Sequence, residues 1–335
     1  MILPTTYLAA LLLSILSMLC WGSWANTFKL TRKWRFELFY FDYAFGVMIA
    51  ALIAAFTFGS SGDGMSFLDN LEVTGKRQLG FALAAGAVFN LANILLVAAI
   101  SLAGLSVAFP VGIGLALVIG VVWNYVLKPA GNPLFLFGGA ALVVVAILVD
   151  ALAYRMHAVS KGSVQQGSIK GLLLSVVSGI LMGSFYPLVQ IATAGELGLG
   201  PYSVGVVFSV GVLFTTFIFN LYFINLPVQG EPVPIGDYFK GTPANHILGL
   251  LGGGIWYAGT IANFVAAAAP GEASVGPAVS YALGQGATMI SALWGLLVWH
   301  EFRGAVANVK MLLVLMIILF IAGLSLVSVA PLYAS

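Results

Sequence analysis

The chain has 335 residues, of which 61% are hydrophobic and only 7% charged, and its net charge is +2. A soluble domain carries roughly 25% charged residues, so this composition cannot coat a water-soluble globule, and the bilayer must act as solvent for most of the chain. The cations are too few and too scattered for a nucleic-acid surface, and the single cysteine, Cys20, excludes a disulfide framework or a cysteine metal cluster.

The first apolar run, Tyr7 to Phe28, has no Lys or Arg before it and exceeds the apolar region of a secretion signal, so it reads as a retained first span. Spans 2 to 5 follow near Leu38 to Phe58, Leu79 to Ala99, Leu105 to Val126 and Leu134 to Tyr154. A basic and polar connector, Arg155 to Lys170, leads to spans 6 to 10 near Leu172 to Ala192, Tyr202 to Leu221, Ile247 to Ala267, Ser274 to Trp299 and Met311 to Val329. These continuous runs are about twice the length of the alternating segments of a membrane barrel. The predicted fold is an all-α membrane protein of ten transmembrane helices.

The sequence also echoes itself once. Trp21-Gly22-Ser23-Trp24 in span 1 matches Met182-Gly183-Ser184-Phe185 in span 6, and Ala92-Asn93 in span 3 matches Ala262-Asn263 in span 8. Span 4 opens Ser106-Val107-Ala108-Phe109-Pro110 and span 9 opens Ser274-Val275-Gly276-Pro277. The order predicts two five-helix repeats, residues 1–160 and 161–335, within one membrane unit. Because five is odd, the second repeat must thread the bilayer in the opposite sense, which is the inverted design of alternating-access transporters.

The connections after odd-numbered spans hold ten of the 13 Lys and Arg, including Lys29, Arg32, Lys33 and Arg35, while the even ones hold only Lys76, Arg77 and Lys128. By the positive-inside rule the odd connections are cytoplasmic and both termini lie outside.

Embedded carboxylates are costly and therefore functional suspects. Asp42, inside span 2, is the candidate for proton coupling; the alternative is an interfacial Asp paired with Arg35 or Lys33. Asp150 reads as interfacial, Glu272 as a cap of span 9, and Glu301 as the local partner of Arg303.

Polar stripes at helical spacing supply the substrate-binding candidates. Span 9 carries Ser274, Pro277, Tyr281, Gln285 and Thr288 on one face, span 8 carries Trp256, Thr260 and Asn263, and span 3 carries Gly86, Asn90 and Asn93. Span 6 adds Tyr186, Gln190 and Thr193. Trp21 and Trp24 in span 1 add indole rings suited to stacking a sugar or a flat heterocycle. The same amides and hydroxyls could instead bond helix to helix. His157, His246 and His300 fall at or beyond helix ends, and no arrangement of catalytic residues suggests an enzyme or a metal site.

Phe41-Asp42-Tyr43 followed by Ile49 to Gly59, and Ser291-Ala292-Leu293-Trp294-Gly295 followed by Glu301-Phe302-Arg303, resemble the plant ureide permeases. Asn245-His246-Ile247-Leu248 leading into Gly252 to Tyr257 is similar to the bacterial L-rhamnose/proton symporter. Both resemblances imply the drug/metabolite transporter superfamily, with its ten-helix inverted repeat. The loop Gly162 to Lys170 lacks the Gly-Lys-Ser/Thr ending of a phosphate cradle, so neither nucleotide nor cofactor is expected. The expected protein lies in a bacterial inner membrane and takes up a small neutral polar metabolite with protons, a sugar or polyol before a ureide or nucleobase. An exporter of hydrophobic drugs is the other reading.

Overall fold

In the computed structural model, which describes residues 1–31, 34–62, 64–162, 168–227 and 230–333, ten helices are long and apolar enough to cross a bilayer. They are span 1 (Tyr7–Leu30), span 2 (Phe36–Phe56), span 3 (Lys76–Ala103), span 4 (Ser106–Leu127), span 5 (Pro133–Ser160), span 6 (Ile169–Thr193), span 7 (Pro201–Asn225), span 8 (Pro243–Ala267), span 9 (Gly271–Val298) and span 10 (Ala307–Tyr333). Every predicted span is present, and no strand occurs among the described residues. The chain is an integral membrane protein with an all-helical fold. Arg32, Lys33 and the loop residues 163–167, which carried part of the charge and nucleotide arguments, lie outside the described residues.

Local chemistry fixes the helix starts. Spans 5 and 8 each begin with proline at the first turn, where its missing N–H costs nothing. In front of them Asn132 accepts from the Leu134 and Phe135 N–H groups, and Thr242 from the Asn245 N–H. Two short elements lie between spans: a helix at Phe67–Val73, and a 3-10 turn at Ile235–Lys240 that leads into span 8.

Span 3 packs on spans 6 and 7, and span 8 packs on spans 1 and 2. These pairs interchange when each span is swapped for the one five places along the chain. Small residues allow the approach: a Cβ at Gly253 in span 8 would stand 2.0 Å from the Tyr43 carbonyl oxygen of span 2, and one at Gly86 in span 3 would stand 2.0 Å from that of Phe208 in span 7.

Span 9 is not one continuous helix. An α segment, Pro277–Gly284, gives way at Gln285 and Gly286 to tighter turns, with the Gly286 N–H bonded to the Leu283 carbonyl at 3.0 Å. A second segment, Ala287–Leu293, runs into a π turn at Trp294–Val298. The predicted single stripe from Ser274 to Thr288 is therefore broken at its middle, because the glycines flanking Gln285 weaken the helix there.

Candidate functional site

A cavity of about 360 Å³ opens between spans 1, 2, 3, 4, 6, 8 and 9. Its walls are the ends of spans 1 and 3, the starts of spans 2 and 4, and the second half of span 9, with Phe28, Phe36, Ile100, Phe109 and Ser291 among the lining residues. All of these run toward the odd connections, so the cavity belongs to that face. A vestibule shares Phe28, Phe36 and Val97 with it and carries the Arg35–Glu37 ion pair at 2.7 Å.

The inner end is aromatic. Trp21 stacks on Trp256 with ring centroids 6.3 Å apart, Trp256 stacks on Phe89 at 4.4 Å, and Phe89 meets the edge of Phe185 at 5.3 Å. Trp21 is fixed in place because its indole N–H donates to Thr260 Oγ1 at 3.1 Å and because Gly284 leaves room for its six-membered ring. Beyond this floor, toward the even connections, Tyr186, Phe264 and Tyr281 form a second layer, and the Tyr281 hydroxyl donates to the carbonyls of Ala116 at 3.1 Å and Met182 at 3.3 Å. The cavity is thus closed on one side and open on the other.

Of the predicted substrate residues, Trp21, Trp24, Asn93, Trp256, Gln285 and Thr288 line the cavity. Gln285, 8% exposed, sits at the break in span 9, and its amide has no hydrogen-bond partner among the described residues. Asn93 donates to the Tyr40 hydroxyl at 3.0 Å, and its carbonyl oxygen accepts nothing among the described residues. Thr288 and Ser291, about one and two turns beyond Gln285, add two hydroxyls. Among the described residues no charged side chain lines this cavity.

Asn90, Asn263, Thr260 and Tyr281 lie behind its walls. The Asn90 amide nitrogen donates to the Val212 carbonyl and to Thr215 and Thr216 of span 7, and its oxygen accepts from Tyr40 at 2.9 Å. Asn263 donates to Ser17 Oγ at 3.1 Å and to the Ser280 carbonyl at 2.9 Å. Thr260 anchors Trp21, and Tyr281 closes the even side. Each of these polar groups is placed to satisfy a buried partner on another helix.

Three acidic residues have partners or burial other than those expected. Asp42, 4% exposed, accepts from the Tyr238 hydroxyl at 2.5 Å and pairs with His246 Nδ1 at 2.8 Å, while Arg35 is taken by Glu37. The cluster ties span 2 to the turn before span 8 and stands apart from the cavity walls. Burial and this bond to Asp42 together push the Tyr238 hydroxyl above its ordinary pKa. Glu301 bonds to Lys29 at the end of span 1, not to Arg303 beside it, because His300 takes a positive φ of 51° and turns Glu301 back toward the bundle. Asp150 is 6% exposed, buried within the bundle ten residues before span 5 ends at Ser160. Glu272 is exposed on the short turn Gly271–Ala273 that opens span 9.

Sequence comparison bears on the same architecture. Residues 39–163 match the ureide permease family model. Ureide permease 1 of Arabidopsis thaliana is 24% identical over 96% of this chain and 95% of its own length. Ureide permease 2 of the same plant is also 24% identical, over 95% of each. A probable ureide permease of Vigna unguiculata is 33% identical over 33% of this chain and 31% of its own. A crystal structure of a protein 16% identical in sequence superposes with a TM-score of 0.64, covering 98% of this chain and all of that one, which shows a shared fold. Over nearly its whole length, then, this chain resembles the plant ureide permeases.

Proposed function

We propose that the protein is a proton-coupled permease for a small, neutral, planar solute of the ureide class. The observation that carries the reading is the Gln285 amide: at the break of a membrane helix, with neither a partner nor a charged cavity wall among the described residues, and facing a floor of indoles. A urea or amide group presents N–H donors beside a carbonyl acceptor. Gln285 can answer both, Asn93 offers a further acceptor, and Trp21, Trp24 and Trp256 supply flat faces for a ring. Without a lysine or arginine among the described lining residues, a phosphorylated or carboxylate solute would lose its hydration with no compensating charge. The names of the relatives point the same way and favour a ureide over the sugar expected from the aromatic and amide content alone.

The mechanism follows from the asymmetry of the closure. A solute entering from the odd-connection face, cytoplasmic by the charge rule, reaches Gln285 and is stopped by the aromatic floor. Release on the other side requires the Tyr281 contact to open while the mouth near Phe28, Phe36 and Phe109 closes, with the two repeats exchanging roles about the midplane. The solute itself can drive this only through contacts that differ between the two states.

Thermal unfolding of the purified protein against ureides, purines, sugars and polyols tests the assignment. A ligand at a hundredfold excess over its Kd stabilises by about 2.7 kcal/mol. The ureide reading expects stabilisation by ureides that is lost in Gln285→Ala. Stabilisation by sugars alone would replace it.

A further inference from the structure

A second pocket, of about 180 Å³, opens off the cavity and shares Ala25, Phe109, Thr288 and Ser291 with it. Its remaining walls bring together Asp150 and Tyr154 of span 5, Lys29 and Asn26 at the end of span 1, and Trp299 and Glu301 beyond the π turn of span 9. Glu301 is fully engaged: it bonds to Lys29 and accepts from the Tyr154 hydroxyl at 2.9 Å, and its backbone carbonyl meets His157 Nε2 at 3.0 Å. Gly295 makes this possible, because a Cβ there would lie 2.7 Å from a Glu301 carboxylate oxygen. Lys29 also stands over the Trp299 ring, 4.5 Å from its centre.

Asp150 is the exception in this pocket. Its carboxyl accepts no hydrogen bond from the described residues, and its Oδ1 atom is sealed from solvent. With Lys29 and Glu301 cancelling, a neutral Asp150 leaves the pocket uncharged, whereas an ionised one adds an uncompensated negative charge at membrane depth. The ionisable groups around it are Lys29 and Glu301 across the pocket and Tyr154 and His157 on its own helix. The faces of spans 4 and 10 against span 5 contribute none: span 4 has no Asp, Glu, Lys, Arg or His, and the buried face of span 10 is Val309, Leu313, Met316, Phe320, Gly323, Leu324 and Val327.

From this geometry we infer that Asp150 is the carboxyl group that takes up and releases the coupled proton, with Lys29 passing between Glu301 and Asp150 as the proton leaves. The proton departs to water at the odd-connection mouth, where the Lys29 and Glu301 side chains are 44% and 34% exposed. The carboxylate left behind attracts Lys29, and Lys29 carries with it the end of span 1, whose Ala25 and Phe28 wall the substrate cavity. Thr288 and Ser291, common to both spaces, link the two sites in the other direction, and a coupling of this kind is reciprocal. The assignment rests on the transporter reading above, but it names a different carboxylate from Asp42, whose oxygens already have two donors.

Two measurements decide it. Infrared difference spectra of the purified protein across a pH step, with no solute present, should show the carbonyl stretch of a protonated carboxyl disappearing as pH rises. The band should be absent in Asp150→Asn, displaced in Asp150→Glu and retained in Asp42→Asn. In proteoliposomes, Asp150→Asn should exchange labelled allantoin across the membrane yet fail to accumulate it above the equilibrium ratio when a pH gradient is imposed, whereas Asp42→Asn should accumulate it. A band that persists in Asp150→Asn, a band lost in Asp42→Asn, or gradient-driven accumulation by Asp150→Asn would each overturn the inference. If Asp150→Asn fails to fold, the band position in Asp150→Glu decides. Failure of the ureide reading would look different: allantoin would neither bind nor exchange in the wild type, while the solute-free spectra would still report on Asp150.

Discussion

Truncating Gln285 separates binding from folding. Because the side chain has no protein partner among the described residues, Gln285→Ala removes no interhelical bond and merely enlarges a cavity that already exists. Two hydrogen bonds from the amide to a neutral solute, at about 0.5 to 1.5 kcal/mol each, predict a loss of roughly 1 to 3 kcal/mol of binding. That is about a five- to 150-fold rise in Kd, since each 1.4 kcal/mol is tenfold. Asn263→Ala is the counterpart. It breaks the bonds to Ser17 and the Ser280 carbonyl and should lower stability by roughly 1 to 3 kcal/mol without removing a solute contact. Ligand titration by intrinsic fluorescence, alongside thermal unfolding without ligand, reads both quantities. If Gln285→Ala lowers the melting temperature as far as Asn263→Ala and leaves Kd unchanged, the amide is a packing group and the site lies elsewhere.

Two neighbouring glycines should differ sharply. Gly253→Ala puts a methyl group against the Tyr43 backbone and should cost about 1 to 3 kcal/mol or more in thermal unfolding, whereas Gly254→Ala, with nothing within 4 Å, should be silent. Orientation is open to a labelling test in a Cys20→Ala background. Cysteines at Ser61 and Glu196, both exposed on even connections, should react with an impermeant maleimide added to intact cells, and one at Ser160 should not; the opposite pattern reverses the charge argument. Thr260→Val should free the Trp21 indole and weaken solute binding up to about tenfold, the worth of one hydrogen bond, and an unchanged Kd would show that Trp21 needs no anchor.

How far the sequence could be read depended on the range of each signal. A bilayer-length apolar run is a property of consecutive residues, and all ten spans were legible from it. Helical spacing put Asn90 and Asn93 on one stripe of span 3, but three residues are 60° short of a full turn. That offset is enough to aim Asn93 into the cavity and Asn90 into span 7. The same limit separates Asn93 from its echo Asn263, which is spent on Ser17 and Ser280. Ion pairs were the least legible. Asp42 finds His246, 204 positions away, and Glu301 finds Lys29, 272 positions away, while the sequence offered only Arg35, Lys33 and Arg303 nearby. Asp150 was set at the interface because apolarity fades at Tyr154. The helix continues to Ser160, ten residues past Asp150, or roughly 15 Å along the axis. The break at Gln285 did leave a local mark, the glycine on either side.

The closed side of the cavity yields the last prediction. The Tyr281 hydroxyl is the polar tie across the even side, reaching carbonyls of span 4 and span 6 from the first segment of span 9. Gly120 lies under its ring, where a Cβ would stand 2.2 Å away, so the aromatic packing survives in Tyr281→Phe and the hydroxyl alone is lost. Ala116 and Met182 lie inside regular helix, so their carbonyls keep helical partners and are not stranded. The change therefore removes about 0.5 to 1.5 kcal/mol from the closed arrangement, which raises the even-open population roughly two- to tenfold if that arrangement is the minor state. A cysteine at Gln190, beside the pocket on that face, reports the population through its reaction with an impermeant maleimide. Its labelling rate should rise by the same factor in Tyr281→Phe and fall when a ureide binds from the odd face. An unchanged rate, with the melting temperature lowered, would mean that Tyr281 holds the bundle together in both states and that the gate is formed by other residues.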